Sequence, residues 1–349
     1  MSMYHWTLAA LSWFLLASTS FAQDVDDADP LFQTNGTLEV RIVAPISTIL
    51  RERSDEEDVD GKFEYTDDAG ELIELDIGIR TRGISRLKKE TCPFPPLRLD
   101  FKKSQIKKSH FHKQDKLKLV THCRDKSNIY QQVVLNEFLA YRILNQLTEA
   151  SFRVRLLRIT YVDTDGKDKD RIRYGFLIEH KDRLSKRLGM KPLALEKTTV
   201  KSLQPEYTNL ISLFHYMIGN TDFSPIAGPD AECCHNHVLL GKEGEPLLSV
   251  PYDFDQSGIV DAPHGITNPR FKLSDARERL YRGRCVNNEH LEKTLALYND
   301  KRDAIYALVS NQEGLLPKYR KKMMRFLDRF YDTINSEKQV ERRLLKKCI

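Results

Sequence analysis

The sequence predicts an α+β protein of two lobes, with a strand-rich N-terminal lobe and a helix-rich C-terminal lobe. Short alternating apolar segments dominate up to about residue 190, one long amphipathic helix interrupts them, and helical periodicity dominates beyond about residue 200. Of the 349 residues 40% are hydrophobic, so the chain can bury a sizeable core. Its length predicts about two domains or lobes. We therefore assign residues 38–190 to the first lobe and residues 191–349 to the second.

Each element follows from its local pattern. Alternating apolar residues predict seven strands in the first lobe: Leu38–Val43, Lys62–Thr66, Leu72–Arg80, Leu97–Phe101, Lys116–Val120, Leu156–Val162 and Ile172–Glu179. Apolar residues three and four apart predict helices at Asn128–Leu147, Tyr207–Ile218, Asn287–Val309 and Pro317–Ile334. Two short strands, Val238–Leu240 and Leu247–Val250, interrupt the helices of the second lobe.

The first 22 residues predict a secretory signal peptide. The apolar run Leu8–Leu16 is short for a bilayer span, and Ser20-Phe21-Ala22 has small residues where a signal peptidase cleaves. The alternative is an uncleaved anchor. Residues 23–37 are predicted to be a polar leader. We expect the mature protein to be secreted or periplasmic, without a stable membrane anchor.

Charge and cysteine content narrow the function. The net charge of +5 is mild for this length, and basic and aromatic residues do not interleave, so nucleic-acid binding is not expected. Six cysteines in an oxidising compartment permit up to three disulfides in 15 connectivities. A metal site at Cys233-Cys234 is the alternative, but no CxxC pair accompanies these residues.

Three polar residues of the second lobe form a candidate catalytic set. Asp222 directly follows an apolar helix, Asn236 opens one short strand, and Asp253 closes the next. A turn at 241–245 would make the two strands a hairpin and bring Asn236 and Asp253 to neighbouring ends. Carboxylate and amide oxygens hold Mg²⁺ or Mn²⁺, and a further carboxylate can orient a hydroxyl, as phosphoryl transfer requires. The alternative is a helix-capping Asp222 and a polar or calcium-binding turn at Asp253.

The first lobe supplies a second candidate set. Glu137 lies on an apolar face of the predicted long helix, where an unpaired carboxylate would be costly. The preceding strand offers Lys118, and an earlier strand offers Arg98. A lysine–glutamate pair of this kind holds nucleotide phosphates in kinases, so we predict the pair Lys118–Glu137, with Arg98 as the second choice of cation. The alternative is a glutamate at the solvent edge with surface lysines.

Taken together, these segments resemble the CotH-like atypical kinases, a family first known from bacterial spore coats. The matching stretches run in the family's order: Arg80–Ser85, Lys118–Val120, Asp125–Ser127, Tyr174–Glu179, Gly219–Asp222 and Pro251–Gly258. The resemblance implies a bilobal, protein-kinase-like fold that uses ATP with Mg²⁺ or Mn²⁺. It also implies a protein or other hydroxyl-bearing acceptor outside the cytoplasm.

The resemblance also implies roles for individual residues. Asp222 would be the catalytic base, Asp253 and Asn236 the metal ligands, and Asp255 a supporting acid near the metal. The nucleotide would contact Lys118, Glu137, Arg98, the loop containing Arg82, Gly83 and Ser85, and the segment beside the adenine that contains Glu179.

Two departures from kinases favour other interpretations. The chain has no GxGxxG motif, and thirteen residues separate Asp222 from Asn236, a long spacing for a kinase. The main alternative is therefore a catalytically silent kinase-like module that binds outside the cell. A calcium-stabilised carbohydrate-binding domain built on residues 253–261 is a third interpretation.

Overall fold

Seven strands of the N-terminal half close into a β-barrel. The computed structural model describes residues 28–125, 127–228 and 233–349, so the predicted signal peptide and the first residues of the leader lie outside the described ranges. The barrel strands are β1 (Leu38–Ala44), β2 (Val59–Thr66), β3 (Leu72–Thr81), β4 (Leu97–Phe101), β5 (Lys116–Val120), β6 (Val154–Asp163) and β7 (Arg171–Ile178). They follow the order β1-β2-β3-β4-β5-β7-β6 around the barrel.

The prediction of a bilobal protein-kinase-like fold is wrong. Strand β1 pairs with β2 on one side and in parallel with β6 on the other, so the sheet closes into a mixed barrel that is accompanied by helices. The register of the closing pair runs from Leu38 opposite Leu157 to Ala44 opposite Asp163. Alternation along a strand shows which face is apolar but does not show which distant strand lies beside it. The sequence pattern therefore predicted the strands and missed their closure.

A hydrophobic core of alternating strand residues packs in the barrel. Its fully buried members include Ile42, Phe63, Ile79, Leu99, Leu119 and Leu177. Leu31 and Phe32, in a short 3₁₀ turn at Pro30–Phe32, join the same core. The end of the predicted leader is thus packed against the barrel.

The described ranges contain eight α-helices, of which α1 packs on the barrel and the other seven surround a second hydrophobic core. They are α1 (Ile46–Glu52), α2 (Ile129–Leu147), α3 (Lys181–Arg187), α4 (Pro205–Ile218), α5 (Leu291–Asp300), α6 (Arg302–Asn311), α7 (Pro317–Ile334) and α8 (Glu337–Arg343). Helix α2 packs against β6, β7 and α6, so it connects the barrel to the helices. Helices α5 and α6 were predicted as one, but the chain turns at Lys301, and both Tyr298 and Ile305 are buried. None of the described helices combines the length and apolar composition that a membrane span requires.

A small three-stranded sheet lies in the C-terminal half. It contains β8 (Lys191–Leu193), β9 (His237–Gly241) and β10 (Leu248–Pro251), in the order β10-β9-β8. Strands β9 and β10 form the predicted antiparallel hairpin, in which His237 lies opposite Pro251. This prediction is confirmed, and the hairpin places its two open ends beside each other.

The six cysteines form three pairs in the structure. Cys92 is bonded to Cys123, Cys233 to Cys234, and Cys285 to Cys348. The Cys285–Cys348 bond joins the segment before α5 to the end of the chain, across 63 positions. It therefore encloses helices α5 to α8 in one covalent loop.

We expect a Cys285→Ser/Cys348→Ser variant to be less stable than the natural protein by about 4 kcal/mol, because the unfolded chain gains the entropy of a long open loop. Urea denaturation of the two proteins under oxidising conditions measures the difference. A loss below about 1 kcal/mol would show that α5 to α8 are held by packing alone.

Candidate functional site

The open end of the β9–β10 hairpin brings Asp222 and Asn236 into direct contact. Asn236 Nδ2 donates hydrogen bonds to the Asp222 carbonyl oxygen (2.8 Å) and to Asp222 Oδ2 (3.1 Å). His235 Nε2 lies 2.8 Å from Asp222 Oδ1. The Tyr252 amide donates to the Asn236 carbonyl (2.9 Å), which holds Asp253, the next residue, at the same end of the hairpin. The structure thus brings together the three residues of the predicted catalytic set.

The loop that carries Asp222 is fixed by the end of helix α4. Gly219 terminates the helix in the left-handed region (φ 66°), and an added Cβ would lie 3.1 Å from the Phe326 ring. Asn220 Oδ1 then accepts a hydrogen bond from the Asp222 amide (2.9 Å). The Asp222 side chain remains 37% exposed, so a ligand can reach it.

Asp253 faces a cationic group that the sequence analysis missed. Arg86 Nη2 lies 3.0 Å from Asp253 Oδ1 and 3.5 Å from Asp255 Oδ2, and only 14% of the Arg86 side chain is exposed. Asp253 adopts a left-handed backbone conformation (φ 60°), and its amide donates to the Tyr141 hydroxyl (2.8 Å). Arg86 directly follows the Arg82–Ser85 stretch in a 3₁₀ turn at Ser85–Leu87, but no local pattern distinguishes it from a surface arginine.

Burial and nearby charges shift the pKa values of the three acidic residues here in different directions. Glu137, on α2, is 2% exposed, and burial raises its pKa to about 8 against the opposing charge of Arg86. Burial and the neighbouring Asp255 carboxylate raise the pKa of Asp253. Burial also acts to raise the pKa of Asp255, but Arg86 and His264 outweigh it, so that this pKa lies below its usual value. Of these three residues, Asp255 is therefore the one whose carboxyl group has the lowest pKa and stays ionised most readily.

Two further cations lie near Asp253. Desolvation by the surrounding protein, together with the charge of Arg82, lowers the pKa of Lys118 to about 8. Lys118 Nζ lies 4.7 Å from the centre of the Tyr252 ring. Burial also lowers the pKa of Arg82, against the attraction of Asp253. Glu137 and Asp255 are buried, whereas Lys118 lies at the solvent-exposed edge of the group. We call Arg82, Arg86 and Lys118, with Glu137, Asp253 and Asp255, the buried charge cluster, after its buried acids.

The predicted ion pair between Lys118 and Glu137 is not formed in the described part of the structure. The cation with the strongest effect on Glu137 is Arg86. Arg98 lies directly opposite Lys118 across β4 and β5, so these two cations are neighbours. The sequence predicted the strand that carries Lys118. It did not predict the direction of the Lys118 side chain, because that direction depends on how the barrel is assembled.

The predicted phosphate loop borders the buried charge cluster. Gly83 adopts a φ of 112°, which a glycine accommodates without strain, and Ile84 at the tip of the loop is 90% exposed. Ser85 begins the turn that carries Arg86. This loop is therefore connected to the charge cluster through Arg86.

Glu179 belongs to a different group of contacts. Its carboxylate accepts hydrogen bonds from Arg187 Nε (2.9 Å), Arg187 Nη2 (3.0 Å) and the Arg153 amide (3.1 Å). These bonds tie the end of β7 to helix α3. A role for Glu179 beside a nucleotide stays a prediction, and its observed contacts are structural.

Divalent cations suit the chemistry of the two aspartates but compete with Arg86. Asp253 Oδ1 and Asp255 Oδ2 both point at Arg86 Nη2, and carboxylates are the ligands that Mg²⁺ and Mn²⁺ prefer. Across the described ranges, no group of three or more His, Cys, Asp or Glu side chains is arranged to hold a metal ion. The donor set thus fits Mg²⁺ or Mn²⁺ only when Arg86 withdraws.

No protein-family model matches the chain, and no curated protein matches it. The resemblance to CotH-like kinases therefore stays a prediction that rests on the sequence motifs alone.

Proposed function

We propose that the protein is an exported phosphotransferase, which moves a phosphoryl group from ATP to a hydroxyl of a protein or other acceptor. The observation that supports this proposal is the placement of Asp222 at the same end of one hairpin as Asp253 and the buried charge cluster. Phosphoryl transfer needs an oriented acceptor and positive charge around the phosphates. Asp222 can meet the first requirement and the cations of the buried charge cluster the second.

Asp222 would orient the acceptor hydroxyl. Its Oδ2 accepts from Asn236 and its Oδ1 lies against His235, so the carboxylate is held in one position while it remains accessible. A carboxylate within hydrogen-bond reach of a hydroxyl can accept its proton as the bond to phosphorus forms.

The cations of the buried charge cluster would hold the phosphates. Lys118 and Arg82 make no ion pair within 4 Å in the described ranges, so their donors are available to phosphate oxygens. Asp253 and Asp255, with Asn236, would hold Mg²⁺ or Mn²⁺ once Arg86 turns away from the carboxylates. Such a metal would supply charge that neutralises the phosphate oxygens.

A second function is favoured by one observation. Arg86 already pairs with the carboxylates of Asp253 and Asp255 that a metal would need, which favours a catalytically silent module that serves in binding or structure outside the cell. Two measurements distinguish these functions: the binding of ATP and the transfer of its phosphoryl group to an acceptor.

We expect ATP with Mg²⁺ or Mn²⁺ to raise the melting temperature of the mature chain from Gln23. A ligand at 100 times its dissociation constant stabilises the folded state by about 2.7 kcal/mol. The rise should disappear in Asp253→Ala and persist in Asp222→Asn, since Asp222 acts on the acceptor. An Asp58→Asn variant, which alters only a surface ion pair with Arg80, is the matched control.

Transfer of radiolabelled phosphate to a casein mixture, or to the protein itself, provides the second measurement. Asp222→Asn should lower transfer by a factor of about 10² to 10⁴. Binding without any transfer by the natural protein would favour the silent module. An unchanged melting temperature with either metal, in well-folded protein, would contradict the phosphotransferase and leave the binding module as the better proposal.

A further inference from the structure

A second cationic cavity lies away from the buried charge cluster. It is formed between α2, the start of β6 and α3, and has a volume of about 80 Å³. Its polar lining includes Arg142, Asn145, Ser151, Arg153 and Arg187. On the same measure a site of about 10–15 Å³ holds one water molecule, so the cavity can hold a small polyatomic ion.

Two of the three arginines have known partners. Arg187 donates to Glu179 through two nitrogens, at 2.9 and 3.0 Å, and to the Glu149 carbonyl at 2.6 Å. Arg153 Nη2 donates to the Glu149 carboxylate at 3.3 Å, and this carboxylate is 60% exposed. Arg153 therefore has a partner only at the solvent edge of the cavity and keeps other donors for a ligand.

Arg142 differs from both, because it makes no hydrogen bond or ion pair with any residue in the described ranges. Burial lowers the pKa of Arg142, and no carboxylate opposes the change. Three guanidinium groups thus share two carboxylates, those of Glu149 and Glu179. A partly buried cation without a counter-ion is costly, so the cavity has the charge of an anion site.

Asn145 is a further polar residue of the lining. Its Nδ2 donates to Ser151 Oγ (2.9 Å) and to the Phe152 carbonyl (3.0 Å), which fixes the amide. Both N–H groups of this amide are therefore engaged within the protein, and the arginines carry the anion site.

We infer that this cavity binds a small tetrahedral oxyanion, such as phosphate or sulfate. The oxygens of such an ion can accept hydrogen bonds from Arg142 and Arg153, which have donors that no residue of the described ranges occupies. The inference is independent of the proposed phosphotransferase activity.

The test is a calorimetric titration of the full chain with inorganic phosphate, and with sulfate in parallel. We expect both anions to bind, and Arg142→Gln to weaken the binding of each at least tenfold. Arg158→Gln is the matched control, since Arg158 pairs with an exposed Glu39 outside the cavity. Should Arg142→Gln fold poorly, Arg153→Gln provides the same comparison.

Two further variants identify where phosphate binds. The titrations are therefore repeated in a Lys118→Gln background, which weakens the phosphate contacts proposed for the buried charge cluster; if Arg142→Gln no longer weakens phosphate binding in this background, the inference is wrong. Ala28 also lines the cavity, and Asp26 and Asp27 precede it in sequence. If phosphate binds only to an Asp26→Asn/Asp27→Asn variant, a carboxylate of the chain fills the cavity and the inference is wrong. Equal affinities for natural protein and Arg142→Gln, or no heat of binding, would overturn it as well.

Discussion

Replacing Arg86 by glutamine is expected to destabilise the protein by about 3–5 kcal/mol, because the substitution leaves Asp253 and Asp255 buried without their cation. Arg86 is also the cation with the strongest effect on Glu137. Urea denaturation measures the loss. The matched control is Arg80→Gln, which removes a partly exposed partner of Asp58 and should change the free energy of unfolding by about 1 kcal/mol or less.

The same variant tests whether Arg86 and a divalent cation compete. In Arg86→Gln, the oxygens Asp253 Oδ1 and Asp255 Oδ2 no longer face a guanidinium group, so Mn²⁺ should raise the melting temperature of the variant more than that of the natural protein. Adding Asp255→Asn to the variant should abolish this difference. Equal responses to Mn²⁺, together with a stability loss below 1 kcal/mol, would show that Arg86 does not neutralise the aspartates.

The second large effect is expected from acid, through a buried histidine pair next to the Asp222 loop. His215 Nε2 lies 3.0 Å from His237 Nε2. Asn220 Nδ2 lies 3.2 Å from His215 Nδ1, and His237 Nδ1 lies 3.0 Å from the Ser249 carbonyl oxygen. These partners assign the proton of neutral His215 to Nε2 and that of neutral His237 to Nδ1. Protonation of either ring would place two N–H groups against each other.

The sign of the pH effect follows from the direction of the pKa changes. Burial lowers the pKa of His237 to about 3 and the pKa of His215 well below its usual value, whereas both titrate near 6.5 in the unfolded chain. Below pH 6.5 the unfolded chain binds more protons, so stability falls as the pH is lowered from about 6.5 towards 3. Between pH 6.5 and 4 His237 contributes a loss of about 3 kcal/mol, and His215 acts in the same direction.

A comparison with a variant isolates this contribution. Glu137 acts in the opposite sense, since its raised pKa makes stability fall as the pH rises towards 8, and it is common to both proteins. We expect His215→Phe/His237→Leu to lose less stability between pH 7 and 4 than the natural protein, as measured by urea denaturation at each pH. His112→Gln, which alters a partly exposed ring, should behave like the natural protein. Parallel pH curves for all three proteins would refute the assignment.

Part of the candidate site could be predicted because its geometry is local. Asp222 follows helix α4, and Asn236 and Asp253 flank a hairpin whose turn is visible in the sequence, so their proximity needs only short-range pairing. Their chemistry, by contrast, depends on groups from distant parts of the chain. Arg86 reaches Asp253 from the far end of β3, and nothing in its neighbourhood in the sequence indicates that contact.

The sequence by itself determined the local elements, because helical and strand periodicities are properties of neighbouring residues. Helix α7 begins and ends where predicted, at Pro317 and Ile334, and α2 and the β9–β10 hairpin lie within a few residues of their predicted positions. Only the tertiary structure decided that β1 pairs with β6 to close the barrel, and that Arg86, rather than Lys118, neutralises the buried acids. Both results depend on contacts between distant segments, which are selected by the packing and desolvation of the whole molecule.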